Sequence, residues 1–271
     1  MEMSNLRITK FEQLNFFLDM ANLQRLAIAP HQIERQKVYL NPEQQHYLGR
    51  VLRLGEGDQF IVMDGQGNSW LAKLQTETSK KSTINAILEK EIFIQNELPI
   101  DLILISALPK GNNFDEIVRQ STELGVTHIL PVISSRTLLK PSPQKLQRWQ
   151  KIAREAAEQS ERQIVPIIRE TMEYSAALSL FDGQTLSNYY KYICVARNNY
   201  SSLLENLLDN QLPKSIVIIT GPEGGWTNVE IEAAIATGFQ AVSLGKRILR
   251  AVTAPLVALS LVAAVLEKRK V

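Results

Sequence analysis

The sequence predicts an α/β protein in which a parallel sheet follows a smaller, strand-rich unit. Three observations carry this. Between Asp101 and Ile133 an apolar run, a helical apolar stripe and a second apolar run stand in order, the pattern of a βαβ unit and so of a parallel sheet. Between Ile216 and Leu266 two short apolar runs each end in a glycine-bearing turn, and each turn opens a helix. Between residues 22 and 95 the pattern changes to several short alternating segments separated by turn residues, which suits a small β-barrel.

The elements follow in order. In the extension at 1–21, Phe11, Leu14, Phe17 and Leu18 lie at helical spacing; a short amphipathic helix is expected, with disorder as the alternative. Residues 22–95 form the first domain, where Gln59–Met63, Ser69–Leu74 and Thr83–Phe93 read as strands. Asp64, Gly65, Gly67 and Asn68 supply a hairpin turn between the first two. Asn41 and Pro42 open a helix expected to continue from Gln44 to Leu52, and Arg50 and Arg53, three apart, are expected to share its face. QNELP at 95–99 marks the linker to a second domain at 100–271.

That domain opens with a strand at Asp101–Leu108 and a helix carrying Phe114, Ile117, Val118, Ser121 and Leu124 on one face, closed by Gly125. A strand at Val126–Ile133 follows. Ser142 and Pro143 start a long helix, Gln144–Arg162, with a stripe of Leu146, Trp149, Ile152, Ala153 and Ala156. Glu155, Gln159 and Arg162 line one side; they are read as support for a catalytic face, with RNA contact as the alternative. Residues 172–190 carry little signal. Tyr192–Ala196, Ile216–Thr220 and Ala241–Leu244 read as strands and residues 201–212 as a helix. Thr227 and Glu230 form a capping box before a helix that Gly238 ends, and Thr253 is the expected N-cap of the last helix.

Composition narrows the function classes. Of 271 residues, 45% are hydrophobic and 21% charged, ordinary for a soluble globular chain. Thirty Lys and Arg against 28 Asp and Glu leave a net charge of +2, which neither demands nor excludes a nucleic-acid partner. The single cysteine, Cys194, and three scattered histidines, His31, His46 and His128, supply no disulfide framework and no metal-ligand spacing, so no metal is expected. The N-terminus lacks the basic-then-apolar order of a signal peptide. The longest apolar run, Ala251–Leu266, is interrupted by Thr253, Pro255 and Ser260 and is short for a membrane span, so a cytoplasmic protein is expected.

The glycines are followed by no Gly-Lys-Ser/Thr, which excludes a P-loop, and no G-x-G-x-x-G is present. In an open parallel sheet ligands bind beyond the carboxyl ends of the strands. GPEGG at 221–225 and LGKRILR at 244–250 therefore read as two walls of a small-molecule pocket, where glycine permits positive φ and close backbone approach. A plain turn is the alternative for either one.

GPEGG followed by LG-x-RILR-x-x-TA resembles the SPOUT-class RNA methyltransferases, and within that class the bacterial RsmE family, which methylates N3 of a uridine in 16S ribosomal RNA. The resemblance extends from about Arg25 through QRLAIAP, LNPEQQHYLGRVLRLGEGDQFIVMDGQG, LPKGNNFDEIVRQSTELGV, PVISSRTLLK and WQKIAREAAEQSERQIVP. It implies a SPOUT-type parallel sheet with a C-terminal trefoil knot, after a PUA-like RNA-binding barrel. It also implies that the two glycine loops hold S-adenosyl-L-methionine through Thr220, Gly221, Gly224, Gly225, Ser243, Leu244, Gly245, Ile248, Leu249 and Thr253, with Val195 and Ala196 as a third wall.

RNA contact is implied for Arg25, Arg50 and Arg53, and for Lys110 and Arg136 beyond their strand ends; a solvated helix face and ordinary loop charge are the alternatives. His46 either stacks on a base or packs. Methyl transfer from a sulfonium needs no metal. Loss of the uracil N3 proton is favoured by a nearby cation, for which Arg250 is the first candidate, and Glu223 is either a general base or a loop brace. The resemblance implies a homodimer paired through the knot, consistent with the apolar last helix, Leu256–Leu266; burial within one subunit is the alternative.

One departure is plain. The family usually reads RILR-T-E-T-A, whereas here Ala251, Val252, Thr253 and Ala254 follow RILR, and Lys246 replaces a proline. The missing carboxylate keeps open a SPOUT enzyme with another RNA target, or a catalytically weak RNA-binding factor in ribosome assembly.

Overall fold

The computed structural model describes residues 22–77, 83–137, 142–182, 189–197, 199–209, 211 and 213–269; the helix expected within 1–21 lies outside them. The chain divides into two compact units, Met1–Ile94 and Gln95–Val271.

In the first unit the strands are β1 (Arg25–Ala27), β2 (Ile33–Glu34), β3 (Lys37–Val38), β4 (Gln59–Met63), β5 (Ser69–Glu77) and β6 (Thr83–Ile92). They form one sheet in the order β1-β4-β5-β6-β3-β2, in which only β1 and β4 pair parallel. The β4–β5 hairpin turns where Asp64 Oδ1 accepts the N–H groups of Gln66 at 2.8 Å and Asn68 at 3.1 Å. Phe60, Val62, Ala72, Leu74, Ala86 and Leu48 build its core.

The helix α1 (Pro42–His46) is shorter than its pattern suggests. Asn41 and Gln44 cap its start reciprocally, each side-chain oxygen accepting the other's N–H at 2.9 Å. A π-helical turn, Tyr47–Val51, then replaces the α-helix. The turn buries Leu48 and brings Leu52 and Leu54 onto the core. Arg53 is thrown beyond it, in the left-handed region at φ 58°. Arg50 and Arg53 are both exposed but do not share a helical face, because core burial of the leucines overrides the helical repeat.

The second unit contains β7 (Asp101–Ala107), β8 (His128–Ile133), β9 (Ile167–Ile168), β10 (Met172–Glu173), β11 (Tyr189–Cys194), β12 (Ser215–Thr220) and β13 (Gln240–Val242). All pair parallel, in the order β10-β8-β7-β12-β11-β13, with β9 on β8. The helices are α2 (Asn113–Glu123), α3 (Pro143–Gln159), α4 (Tyr174–Ser179), α5 (Leu203–Asp209), α6 (Asn228–Ala236) and α7 (Thr253–Arg269). β12 is buried along its whole length, as a central strand covered on both faces must be. Ile216 and Ile218 pack on one side with Ala258 and Val262 of α7, and Val217 and Ile219 on the other with Ala234 of α6.

Local signals hold α2 and α3 together. Gly125 closes α2 at φ +89°, and a Cβ there would stand 2.7 Å from Leu98 Cδ1. Asp115 accepts the indole N–H of Trp149 at 3.1 Å and the Arg148 Nε–H at 2.8 Å. Arg162 departs from its expected role near a catalytic face. It is buried, paired with Glu97 at 2.8 Å, and donates to the carbonyls of Thr122 and Val126 at 2.8 Å each. Those groups precede β7 and β8, so Arg162 braces the amino end of the sheet, where α2 and α3 both turn back.

Candidate active site

The loops leaving the carboxyl ends of β11, β12 and β13 enclose a cavity of about 340 Å³. β11 contributes Val195, Ala196 and Arg197, and β12 contributes Gly221 to Trp226. β13 contributes Leu244, Gly245, Arg247, Ile248, Leu249 and Ala251, and Arg136 enters from the loop after β8.

Each glycine of the β12 wall has its own reason. A Cβ at Gly221 would lie 3.0 Å from Nε1 and Cε2 of Trp226, so glycine there lets the indole pack closely against the strand end. A Cβ at Gly224 would lie 3.0 Å from Cδ and 3.2 Å from Cβ of Arg136. Gly225 alone needs the left-handed backbone, at φ +66°. The sequence pattern assigned these glycines to positive φ and ligand approach; two of the three also make room for the protein's own side chains.

The wall is tied to its neighbours. Glu223 Oε1 accepts the Lys110 backbone N–H at 3.0 Å, which makes Glu223 a brace to the loop after β7. Arg136 Nη1 donates to the carbonyls of Gly224 at 2.5 Å and Trp226 at 3.4 Å. Glu230 completes the capping box: Thr227 N–H and hydroxyl donate to Oε2 at 2.8 and 2.9 Å, and Ser135 N–H donates to Oε1 at 2.8 Å. Burial pushes the Glu230 carboxyl up, but these donors outweigh it and hold it below the usual carboxylate range.

Behind the wall the Tyr174 and Trp226 rings pack with centroids 4.8 Å apart, and the Tyr174 hydroxyl donates to the Glu230 carbonyl at 3.2 Å. Cys194 lines the cavity, and burial pushes its thiol up to about 12, so it stays neutral and is no nucleophile.

The β13 wall is built differently. Gly245 takes φ +111°, and its N–H donates to Ser243 Oγ at 3.1 Å. Gly245 to Ile248 are exposed, and Ile248 retains 63% of its surface. Val252 packs on the core beside α7.

The structure brings Val195, Ala196, Gly221, Glu223, Gly224, Gly225, Leu244, Gly245, Ile248 and Leu249 onto the cavity. It leaves three expected lining residues off it. Thr220 is fully buried at the end of β12, Ser243 ties Gly245, and Thr253 is the first residue of α7 rather than its cap. Arg250 is off the cavity too. It is exposed, and its carbonyl accepts the N–H groups of Thr253 and Ala254 at 2.9 and 3.0 Å, which sets the start of α7. Sequence reasoning missed Arg197, Trp226, Asn228, Arg247 and Ala254, all on the lining. Trp226 directly follows GPEGG and Arg247 lies inside LGKRILR, so position in the motif was their available signal.

Elsewhere, Lys110 is exposed beyond β7, and Arg25 is half-buried, with Nη1 donating to the Leu23 carbonyl at 3.2 Å. His46 is exposed. Among the described residues no group of three or more His, Cys, Asp or Glu side chains is placed to hold a metal ion, and no helix is long and apolar enough to cross a membrane.

Comparison with known proteins agrees with this architecture. An RNA methyltransferase domain family matches residues 96–263, and an RNA methyltransferase PUA domain family matches residues 40–87. The chain is 50% identical over 244 residues to the ribosomal RNA small subunit methyltransferase E of Synechocystis sp., covering 90% of this chain and 78% of that one. It is 33% identical to the protein of the same name from Bacillus subtilis, over 87% of this chain and 93% of that one. The crystal structure of the Neisseria gonorrhoeae ribosomal RNA small subunit methyltransferase E bound to S-adenosyl methionine superposes with a TM-score of 0.76 at 35% identity, covering 88% of this chain and 96% of that one. The fold is therefore the expected one, a SPOUT-type parallel sheet after a PUA-like unit, and the chain belongs to the ribosomal RNA small subunit methyltransferase E family.

Proposed function

We propose that this protein transfers a methyl group from S-adenosyl-L-methionine to N3 of a uridine in 16S ribosomal RNA of the small subunit. One observation carries the reading: a cavity at the carboxyl ends of β11, β12 and β13, walled by two glycine loops, of which the one after β12 is held in place by Lys110 and Arg136. The residues present fit the donor. Gly225, whose Cβ direction is open, and the half-apolar lining of Val195, Leu244 and Leu249 give the donor both an approachable main chain and an apolar surface. S-adenosyl-L-methionine would be held by Val195 and Ala196, Gly221 to Gly225, and Leu244, Gly245, Ile248 and Leu249. When bound, it supplies an electrophilic methyl group on a sulfonium.

The chain's own residues then have two tasks, orientation and charge. Half-buried Leu244 and Leu249 give the cavity an apolar lining beside the reacting face. Uracil N3 becomes nucleophilic when its proton is lost to solvent water, a permanent positive charge beside O2 or O4 favours that anion, and as N3 takes the methyl group the donor's sulfur would leave as a neutral thioether. Arg250 was the first candidate, but Arg247 and Arg197 line the cavity and Arg250 does not, so Arg247 takes that role and Arg250 supports the loop. Glu223, spent on the Lys110 N–H, acts as a brace rather than a base.

Arg25, Arg50, Arg53 and the Lys110 ammonium make the phosphate contacts that position the RNA. The left-handed backbone at Arg53 supports a functional constraint there. The two glycine loops belong to a trefoil knot, and two copies pair through it; exposed Ile248 and Val229 beside the cavity support such a cover. The setting is the cytoplasm, without a metal.

Transfer of a labelled methyl group to undermethylated small subunits, with mass spectrometry of the nucleosides, tests the reading. The expected product is 3-methyluridine. Donor binding without transfer to subunits, naked 16S RNA or transfer RNA would contradict it and leave an RNA-binding assembly factor.

A further inference from the structure

Arg136 stands beyond the carboxyl end of β8, where sequence reasoning gave it to RNA. We infer that it is instead a positioning residue, which holds the glycine wall of the donor cavity in its binding shape. The inference rests on the proposed donor reading of that cavity and assigns a role within it.

The geometry is specific. Arg136 Nη1 meets the carbonyl oxygens of Gly224 and Trp226, on either side of the left-handed Gly225. Each of those carbonyls belongs to a planar peptide unit whose other end is also held. The unit joining Gly224 and Gly225 donates its N–H to the Pro222 carbonyl at 2.9 Å. The unit joining Trp226 and Thr227 donates its N–H to Glu230 Oε2 at 2.8 Å. Both planes are thus pinned at oxygen and at nitrogen, and Arg136 supplies the oxygen end of each.

The neighbouring Ser135 N–H fixes Glu230 Oε1 at 2.8 Å, so one short loop after β8 reaches both the guanidinium clamp and the capping carboxylate. The Arg136 stem adds steric pressure, because its Cδ and Cβ stand 3.0 and 3.2 Å from where a Cβ at Gly224 would fall. A charge-assisted bond to a carbonyl is stronger than a neutral one, and guanidinium geometry lets a single nitrogen serve two acceptors.

Without the guanidinium, the oxygen ends of both peptide planes are free, and the wall must order when the donor binds. That cost falls on donor affinity and leaves the bonds of α6, β12 and the core in place. RNA affinity does not depend on it.

The test uses the full chain with S-adenosyl-L-methionine as the probe, in Arg136→Gln, Arg136→Lys and Gly224→Ala. Donor affinity is read by calorimetry, RNA affinity by filter binding to 16S RNA, folding by thermal melting without ligand, and turnover as separate donor KM and kcat. Arg136→Gln is expected to raise donor Kd and KM about tenfold, with kcat at saturating donor and RNA affinity each within about threefold of wild type. Arg136→Lys recovers part of the loss, since one ammonium still reaches a carbonyl. Gly224→Ala keeps the charge but displaces its stem and shows the same donor defect with a near-normal melting temperature. Unchanged donor affinity in Arg136→Gln with weakened RNA binding overturns the inference and restores the RNA contact. A melting temperature lowered by 10 °C or more in both Arg136→Gln and Gly224→Ala also overturns it, because Arg136 would then be a general fold contact. Failure of wild type itself to bind the donor is a different result, which refutes the proposed function.

Discussion

The two walls of the cavity are both glycine-bearing turns after a strand, and they differ in how they are held. The wall after β12 is bound from outside: Lys110, Ser135 and Arg136, from the loops after β7 and β8, engage Glu223, Glu230 and the carbonyls of Gly224 and Trp226. The wall after β13 has no such clamp. Among the described residues no side chain of another loop bonds to residues 244–250, whose nearest tie is Ser243 to Gly245. One wall is organised in advance. The other is open for a ligand or a second copy of the chain to complete, and its exposed Ile248 is the surface such a partner would cover.

Substitutions can break or sharpen this contrast. The largest effect is expected from Gly221→Val, whose Cβ would begin 3.0 Å from the Trp226 indole. The ring must give way to the added branched side chain, so donor affinity should fall at least about a hundredfold and stability by about 1–3 kcal/mol, read by calorimetry and denaturant melts. Arg247→Ala tests the open wall. Arg247 is exposed, so the melting temperature should hold, while kcat falls by about a hundredfold if its charge stabilises the uracil anion. Equal rates for this variant and wild type would return the role to Arg197 or Arg250.

A smaller effect is expected from Glu230→Gln, which weakens the base of the clamped wall by about 1–2 kcal/mol at pH 7. The sign with pH follows from the direction of the shift. The folded carboxyl lies below its ordinary range, so its stabilisation is present above the unfolded value and is lost as pH falls through the folded one. The gap between wild type and variant should therefore close as pH drops below about 4.3, measured by urea melts at pH 7, 5 and 3. A gap that stays constant over that range would mean that Glu230 contributes no charge-dependent stability.

Much of this architecture was legible in the chain. The apolar run at Ile216–Thr220, the capping pair Thr227 and Glu230, and the closing glycines Gly125 and Gly238 act within a few residues of themselves, so pattern and local chemistry suffice to find them. The walls were legible for the same reason, since glycine turns after strand runs mark the ligand end of a parallel sheet.

What escaped depends on distance or on orientation. Arg136 meets Gly224 across 88 residues, and Lys110 meets Glu223 across 113, which no spacing rule reaches. Arg250 and Arg247 lie in one motif, and only the start of α7 decides that the former turns off the cavity. Arg50 and Arg53 kept the right spacing for a helix face, but the π turn that buries Leu48 ended the helix before Arg53. Val252, where the family resemblance leads one to expect a carboxylate, packs on the core and does not line the cavity.

The most direct test of a clamped wall facing an open one is a pair of crystal structures, without ligand and with S-adenosyl-L-methionine. The main chain of 221–226 should superpose within about 1 Å with Arg136 on the Gly224 carbonyl in both, while 245–250 shifts or orders around the donor. A 221–226 loop that rearranges by more than about 2 Å, with the Arg136 contact formed only in the bound state, would contradict it.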